Sequence, residues 1–187
     1  MALLFIKQVK NPGNIADFEA GVKEISAAIG VNADDLMTVM YFESRLNPQA
    51  KNPYGSATGL IQFTEDTARR LGTSTAALKQ MTAVQQLPYV KKYLLPYSGR
   101  VSNLGKLYMA VFYPAYIGKA LNDIIPLSQA WVNANKYLDV DGNGKITVAE
   151  IYQRIYDFQK QQANKLGYVI GGTGVALLLI AAYLILK

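Results

Sequence analysis

Residues 168–186 carry no charged side chain and lie between Lys165 and Lys187, and this run limits what the rest of the chain can become. At 1.5 Å of rise per residue, about 20 apolar residues in a helix cross the hydrocarbon core of a bilayer. A C-terminal transmembrane anchor is therefore expected over 168–186, with Gly171, Gly172 and Gly174 near its start allowing a bend or a close neighbour. A buried core helix is the competing reading, and the length and lack of charge speak against it. Ahead of the run there is room for one domain of ordinary size and a small appendage. The stretch from Met1 to Lys10 places its apolar residues before its lysines, so no cleavable signal is expected.

Composition narrows the chemistry. The chain has no cysteine, which excludes disulfides, zinc–thiolate sites and thiol nucleophiles. It has no histidine either, which removes the commonest general base and the commonest transition-metal ligand. Proton transfer must then rest on carboxylates, with Tyr and Lys as distant alternatives. The net charge of +6 suits an anionic wall polymer or lipid surface. The cations are scattered, and only Arg69-Arg70 and Lys91-Lys92 are adjacent, so no nucleic-acid partner is expected.

The punctuation of the chain reads as helical. Asn11 to Asn14 is turn material, a helix follows over 15–29, and Gly30 stops it. Asn32 caps a second helix that carries Asp34 and Asp35 in its first turn and ends before Asn47-Pro48. Residues 48–58 form an irregular loop and 59–63 a short extended piece, after which Thr64 caps a helix. Further helices are expected over 82–95, 103–123, 127–138 and 148–165, with no sustained strand pattern.

Glu43 lies on the second of these helices, and the residues three, four and seven positions before it are Met40, Val39 and Leu36. These share its face, so the carboxyl belongs to an apolar stripe. A half-buried carboxyl has its charged form disfavoured and its pKa raised, which suits a general acid near neutral pH. Pairing with Arg45 or Arg69 is the structural alternative.

Glu43-Ser44-Arg45-Leu46-Asn47-Pro48, followed by Ala57-Thr58-Gly59-Leu60-Ile61-Gln62-Phe63 and Thr67-Ala68, resembles the lytic transglycosylase and goose-type lysozyme family. That family has a helix-ending Glu-Ser and then a Gly-Leu-(Met/Ile)-Gln segment, and the resemblance covers roughly residues 15–123. It implies a lysozyme-like α domain that cuts the bond between N-acetylmuramic acid and N-acetylglucosamine in peptidoglycan. The glutamate protonates the glycosidic oxygen and then serves as base toward the sugar's own 6-hydroxyl, giving a 1,6-anhydro product. One carboxylate is enough for this route, whereas ordinary glycosidases need two. The resemblance makes Glu43 the acid/base, has Ser44 hold its carboxyl, and lines the sugar groove with Gly59, Leu60, Gln62 and Phe63. The other reading of Gln62 is an amide that caps nearby backbone. A hydrolytic lysozyme would call on a second carboxylate, for which Asp17, Glu19, Asp34, Asp35, Glu65 and Asp66 are the nearest in sequence. The family's third motif, Ala-Tyr-Asn, aligns with the stretch 109–115, which puts Phe112 at the tyrosine and Tyr113 at the asparagine. Tyr113 is the hydroxyl left to serve the site there, against packing as its other use, and Pro114 breaks the helix beside it.

Residues 139–150 match the EF-hand calcium loop at its diagnostic positions. Asp139, Asp141 and Asn143 supply side-chain oxygens, Gly144 the sharp turn, Lys145 a carbonyl and Glu150 a bidentate carboxylate. One structural Ca2+ is expected, and a single loop reads as a clip rather than a switch.

Taken together, the fold class expected is mainly α with minor β. A lysozyme-like domain over 14–125 precedes an EF-hand-like helix-loop-helix over 126–165 and a membrane anchor over 166–187. The expected function is peptidoglycan lytic transglycosylase activity at a membrane. Such architecture resembles that of a bacteriophage virion protein acting in entry or lysis, with capsid or membrane proteins as further partners, or alternatively a bacterial inner-membrane protein. The competing class is a non-catalytic wall-binding or structural protein, because fold alone does not imply activity.

Overall fold

Side-chain caps set where the helices begin. In the computed structural model, which describes residues 2–167, Asn14 accepts the backbone N–H groups of Ala16 and Asp17 and opens α1 (Ile15–Ile29). Gly30, at φ +76°, closes it in the left-handed conformation that glycine adopts without a Cβ clash. Asn32 caps α2 (Ala33–Ser44). Thr64 caps α3 (Glu65–Arg70), Ser74 caps α4 (Thr75–Leu78), and Thr82 with Gln85 forms a reciprocal capping box at α5 (Ala83–Leu94). Asn103 opens α6 (Leu104–Phe112), Ser128 opens α7 (Gln129–Ala134), and Thr147 with Glu150 caps α8 (Val148–Lys165).

Two compact units divide between Ile117 and Gly118, ahead of the boundary expected at 125. In the first, α1 buries Phe18, Val22, Ile25 and Ile29, a 3–4 spacing that makes one face of a helix. That face packs with α2 and α5, and α2 packs in turn with α6. Gly21 permits the close α1–α5 approach, since a Cβ there would stand 2.6 Å from the Leu87 Cδ1. The stretch before Asn14, outside the expected domain, belongs to this unit. Leu3, Leu4 and Phe5 are buried, Phe5 stacks on Tyr41 at 4.6 Å, and the Leu4 N–H donates to Asp34 Oδ1 at 2.7 Å. Asp34 therefore fastens this arm as well as complementing the α2 macrodipole.

α2 ends at Ser44, ahead of Asn47-Pro48 as expected, with Arg45 and Leu46 both in left-handed backbone at φ 56° and 53°. Other expected boundaries move. Residues 59–63 are not extended: Thr58 and Phe63 exchange backbone hydrogen bonds of 3.0 and 2.9 Å across a tight turn. The helix expected over 103–123 stops at Phe112, since Pro114 lacks the N–H needed to continue it. Likewise 127–138 breaks at Asn135, whose side-chain amide donates to the Trp131 carbonyl.

In the second unit α8 presents Ile151, Ile155, Gln159 and Ala163 inward at helical spacing. Residues 121–125 complete it: the Ile125 N–H donates to the Ile146 carbonyl at 2.8 Å, and Val148 N–H to Asp123 at 3.1 Å. Among the described residues no helix is long and apolar enough to cross a membrane, and the anchor expected over 168–186 lies outside the described residues.

Phe5, at zero exposure, is the keystone of the arm. Phe5→Ala should lower unfolding stability by about 3–5 kcal/mol, as read from chemical denaturation, with the fold retained.

Candidate active site

The apolar stripe of α2 forms as the spacing predicts, for Leu36, Val39 and Met40 are all fully buried. Glu43, on the same stripe at the end of the helix, is half-buried, so an edge remains open to solvent. Its carboxyl is nonetheless desolvated: burial pushes its pKa up to about 7, against the opposing effect of a hydrogen bond from the Tyr108 hydroxyl. The two arginines considered as partners are engaged elsewhere. Arg69 pairs with Glu65 at 3.0 Å, and the Arg45 guanidinium lies 5.2 Å from the Tyr41 ring centre. A proton on a group like this is available near neutral pH.

A tyrosine from α6 meets this carboxyl, and one from α5 lies within its electrostatic reach. Tyr108 of α6 is buried edge-on to Phe42, with ring centres 5.0 Å apart, and stacks with Phe112 at 5.9 Å. Tyr93 of α5 is held neutral by burial and by Tyr97, and it feels the charges of both Arg70 and Glu43. Its hydroxyl donates to the Ala110 carbonyl at 2.9 Å, tying α5 to α6, and Phe63 meets its ring edge-on at 6.2 Å.

The remaining expected site residues take other parts. Ser44 does not hold the Glu43 carboxyl; its hydroxyl lies 2.9 Å from the Met40 carbonyl and 3.0 Å from that of Leu60. Adjacent helical residues do not face each other, which is the physical reason. Ser44 instead joins α2 to the turn over 59–63. In that turn Gly59, Leu60 and Phe63 are buried, so Leu60 and Phe63 enclose rather than project. Gln62 takes left-handed backbone at φ 53°, and its amide nitrogen donates to the Gly59 and Ala50 carbonyls at 3.1 and 3.3 Å. Three non-glycine residues with positive φ thus cluster around one carboxyl-bearing helix end, an arrangement common where backbone strain serves a site. Tyr113 ends α6 and packs its ring against Tyr116 at 5.3 Å.

The geometry coincides with a family match in the chain's comparison with known proteins. Residues 22–87 match the Transglycosylase SLT domain. The match contains α2 with Glu43 and Ser44, the 59–63 turn and the first part of α5. No curated protein matches the chain. Tyr93, Tyr108 and Tyr113 all lie beyond the SLT match. The sequence pattern does not single out Tyr108, because the family's third motif aligns with residue 112. Its signal was the helical repeat: it stands one turn before Phe112 on the same face.

In the second unit the Asp139, Asp141 and Glu150 carboxylates lie within 4.8 Å of one another. Glu150 is buried, and its Oε1 accepts the Val140 N–H at 2.8 Å while Oε2 accepts the Thr147 N–H at 2.8 Å. Asp139 Oδ2 accepts the Gly144 N–H at 2.8 Å, the Asn143 side chain donates to Asp141 at 2.7 Å, and Lys145 is exposed at the loop surface.

The raised Glu43 pKa has a thermodynamic consequence. Folded protein holds this proton more tightly than the unfolded chain, whose reference value is 4.5, so the stability it contributes below 4.5 is lost as pH rises through about 7. Glu43→Gln should therefore melt above wild type at about pH 8 and level with it at about pH 4 in thermal scans. Tyr108→Phe removes the bond that favours the charged form, and carboxyl NMR should find Glu43 titrating higher still.

Proposed function

We propose that the first unit cleaves the glycan strands of peptidoglycan as a lytic transglycosylase, with Glu43 as its single acid/base. The observation that carries this reading is a desolvated, solvent-reachable carboxyl, without a cationic partner among the causes of its shift, inside the segment that matches the SLT domain. Protonated Glu43 gives its proton to the oxygen between N-acetylmuramic acid and N-acetylglucosamine as the bond from C1 to that oxygen breaks. The 6-hydroxyl of the same muramic residue attacks C1, a new C1–O6 bond forms, and the hydroxyl proton passes to the Glu43 carboxylate. Glu43 ends in its starting state, and the product carries a 1,6-anhydro ring. Tyr108 holds the carboxyl and stabilises its charged form after the first transfer. Gln62, through its turn, and Tyr113 are proposed to border the sugar groove.

Internal attack is favoured over hydrolysis because three of the carboxylates nearest in sequence are engaged structurally. Glu65 accepts the Thr75 N–H at 3.0 Å as well as Arg69, Asp34 holds the N-terminal arm, and Glu19 pairs with Lys23. Full-length protein incubated with purified peptidoglycan should release anhydro-muropeptides, identified by mass, and Glu43→Gln should lower release by a factor of roughly 100 or more. Activity should fall as pH rises above about 7, because the acid must carry its proton. Reducing ends in the product would convert the assignment to a hydrolytic lysozyme. No release by wild type would leave a non-catalytic glycan-binding domain.

The second unit is proposed to bind one Ca2+ through Asp139, Asp141, Asn143, the Lys145 carbonyl and Glu150. Three carboxylates gathered this closely suit a hard divalent cation, which would offset their mutual repulsion and fix the loop. Added Ca2+ should raise the thermal midpoint of wild type, and Glu150→Gln should abolish the rise. The uncharged run over 168–186 is proposed to tether both units to a bilayer, in a phage virion or at a bacterial inner membrane.

A further inference from the structure

α5 carries a polar residue on its buried face. Ala83, Leu87, Val90 and Leu94 line that face, and Gln86, with zero exposure, stands among them. A buried amide is costly unless its hydrogen-bonding capacity is used. Gln86 uses its capacity on three separate segments. Its Oε1 accepts the Leu60 N–H at 2.9 Å, and its Nε2 donates to the Pro48 carbonyl at 2.7 Å and the Leu78 carbonyl at 2.8 Å. Pro48 follows the end of α2, Leu60 lies in the 59–63 turn, and Leu78 ends α4.

From Leu60 the connection runs to the acid. The Leu60 carbonyl receives the Ser44 hydroxyl at 3.0 Å, and Ser44 is the residue after Glu43. The same turn carries Phe63, whose ring braces Tyr93, a group within electrostatic reach of Glu43. Gly59 makes room for the amide: a Cβ there would stand 2.6 Å from Gln86 Oε1, and its φ of +89° already disfavours other residues.

We propose that Gln86 is a positioning residue that pins the 59–63 turn against the end of α2 and thereby sets how tightly Glu43 is enclosed. The inference rests on the reading of Glu43 as the acid, and it supplies the element that keeps the acid dry. Gln86 itself touches no reacting atom. The titratable groups recorded around Glu43 are Tyr108 from α6, which bonds to it, and Tyr93 from α5, beyond which Arg70 of α3 acts on Tyr93. Substituting Gln86 removes none of these groups, so a fall in the Glu43 titration on that substitution reports a looser enclosure.

The test uses full-length wild type, Gln86→Leu, which keeps the side-chain bulk and removes all three bonds, and Gly59→Ala, which displaces the same amide from the other side. Circular dichroism checks the fold, carboxyl NMR follows Glu43 directly, and glycan release is measured against pH. Both variants should stay helical and release glycan roughly 10- to 100-fold more slowly. Their alkaline limb and the Glu43 titration should both move from about 7 toward 4.5, as water reaches the carboxyl. A folded Gln86→Leu whose Glu43 titrates as in wild type overturns the proposal. If Gln86→Leu does not fold, Gly59→Ala decides, and a wild-type titration there, or loss of fold in both, reduces Gln86 to a core hydrogen-bonding group. The NMR titration needs no activity, so an inactive wild type would sink the catalytic reading while leaving the positioning role to be judged by itself.

Discussion

The desolvation of one carboxyl organises the first unit. Glu43 continues the buried stripe of Leu36, Val39 and Met40 instead of turning to the wet side of α2, and burial is the first cause of its raised pKa. An ion pair would have reversed the effect, and the two nearest arginines in sequence are occupied by Tyr41 and Glu65. A carboxyl kept this way retains its proton near neutrality without leaving reach of solvent, which is the condition a general acid must meet.

Maintaining that condition takes backbone as much as side chains. Arg45 and Leu46 leave the helix through two successive left-handed residues, which turns the chain back sharply enough for Ser44 to meet the Leu60 carbonyl. Left-handed conformation in non-glycine residues costs on the order of 1 kcal/mol or more each. The full burial of Leu46 and the hydrogen bond from Lys10 N–H to its carbonyl, 3.0 Å, offset that cost. The N-terminal arm is thus part of the device that bends the chain beside Glu43.

The second unit applies the same economy to a different chemistry. Glu150 caps α8 through Thr147 while its other oxygen receives the Val140 N–H, so one side chain fixes both the helix start and the loop entry. Residues 121–125 cover the loop's edge by pairing at Ile125–Ile146 and Asp123–Val148.

Local signals were enough for much of this. Caps at Asn32 and Thr64 marked helix starts, Gly30 a helix end, and the stripe beneath Glu43 its burial, because each depends on residues within a turn or two of each other. That Asp139, Asp141 and Glu150 gather in one loop was legible for the same reason. Tertiary packing alone decided that Tyr108, rather than residue 113, meets the Glu43 carboxyl, that Ser44 serves the 59–63 turn rather than the carboxyl, and that Gln86 joins three segments. Those contacts join residues 16, 26 and 65 positions apart (Ser44 to Leu60, Gln86 to Leu60, Glu43 to Tyr108). No periodicity encodes such distances; they exist only once α2, α5 and α6 have packed, since burial is a property of the assembled core and not of any single helix.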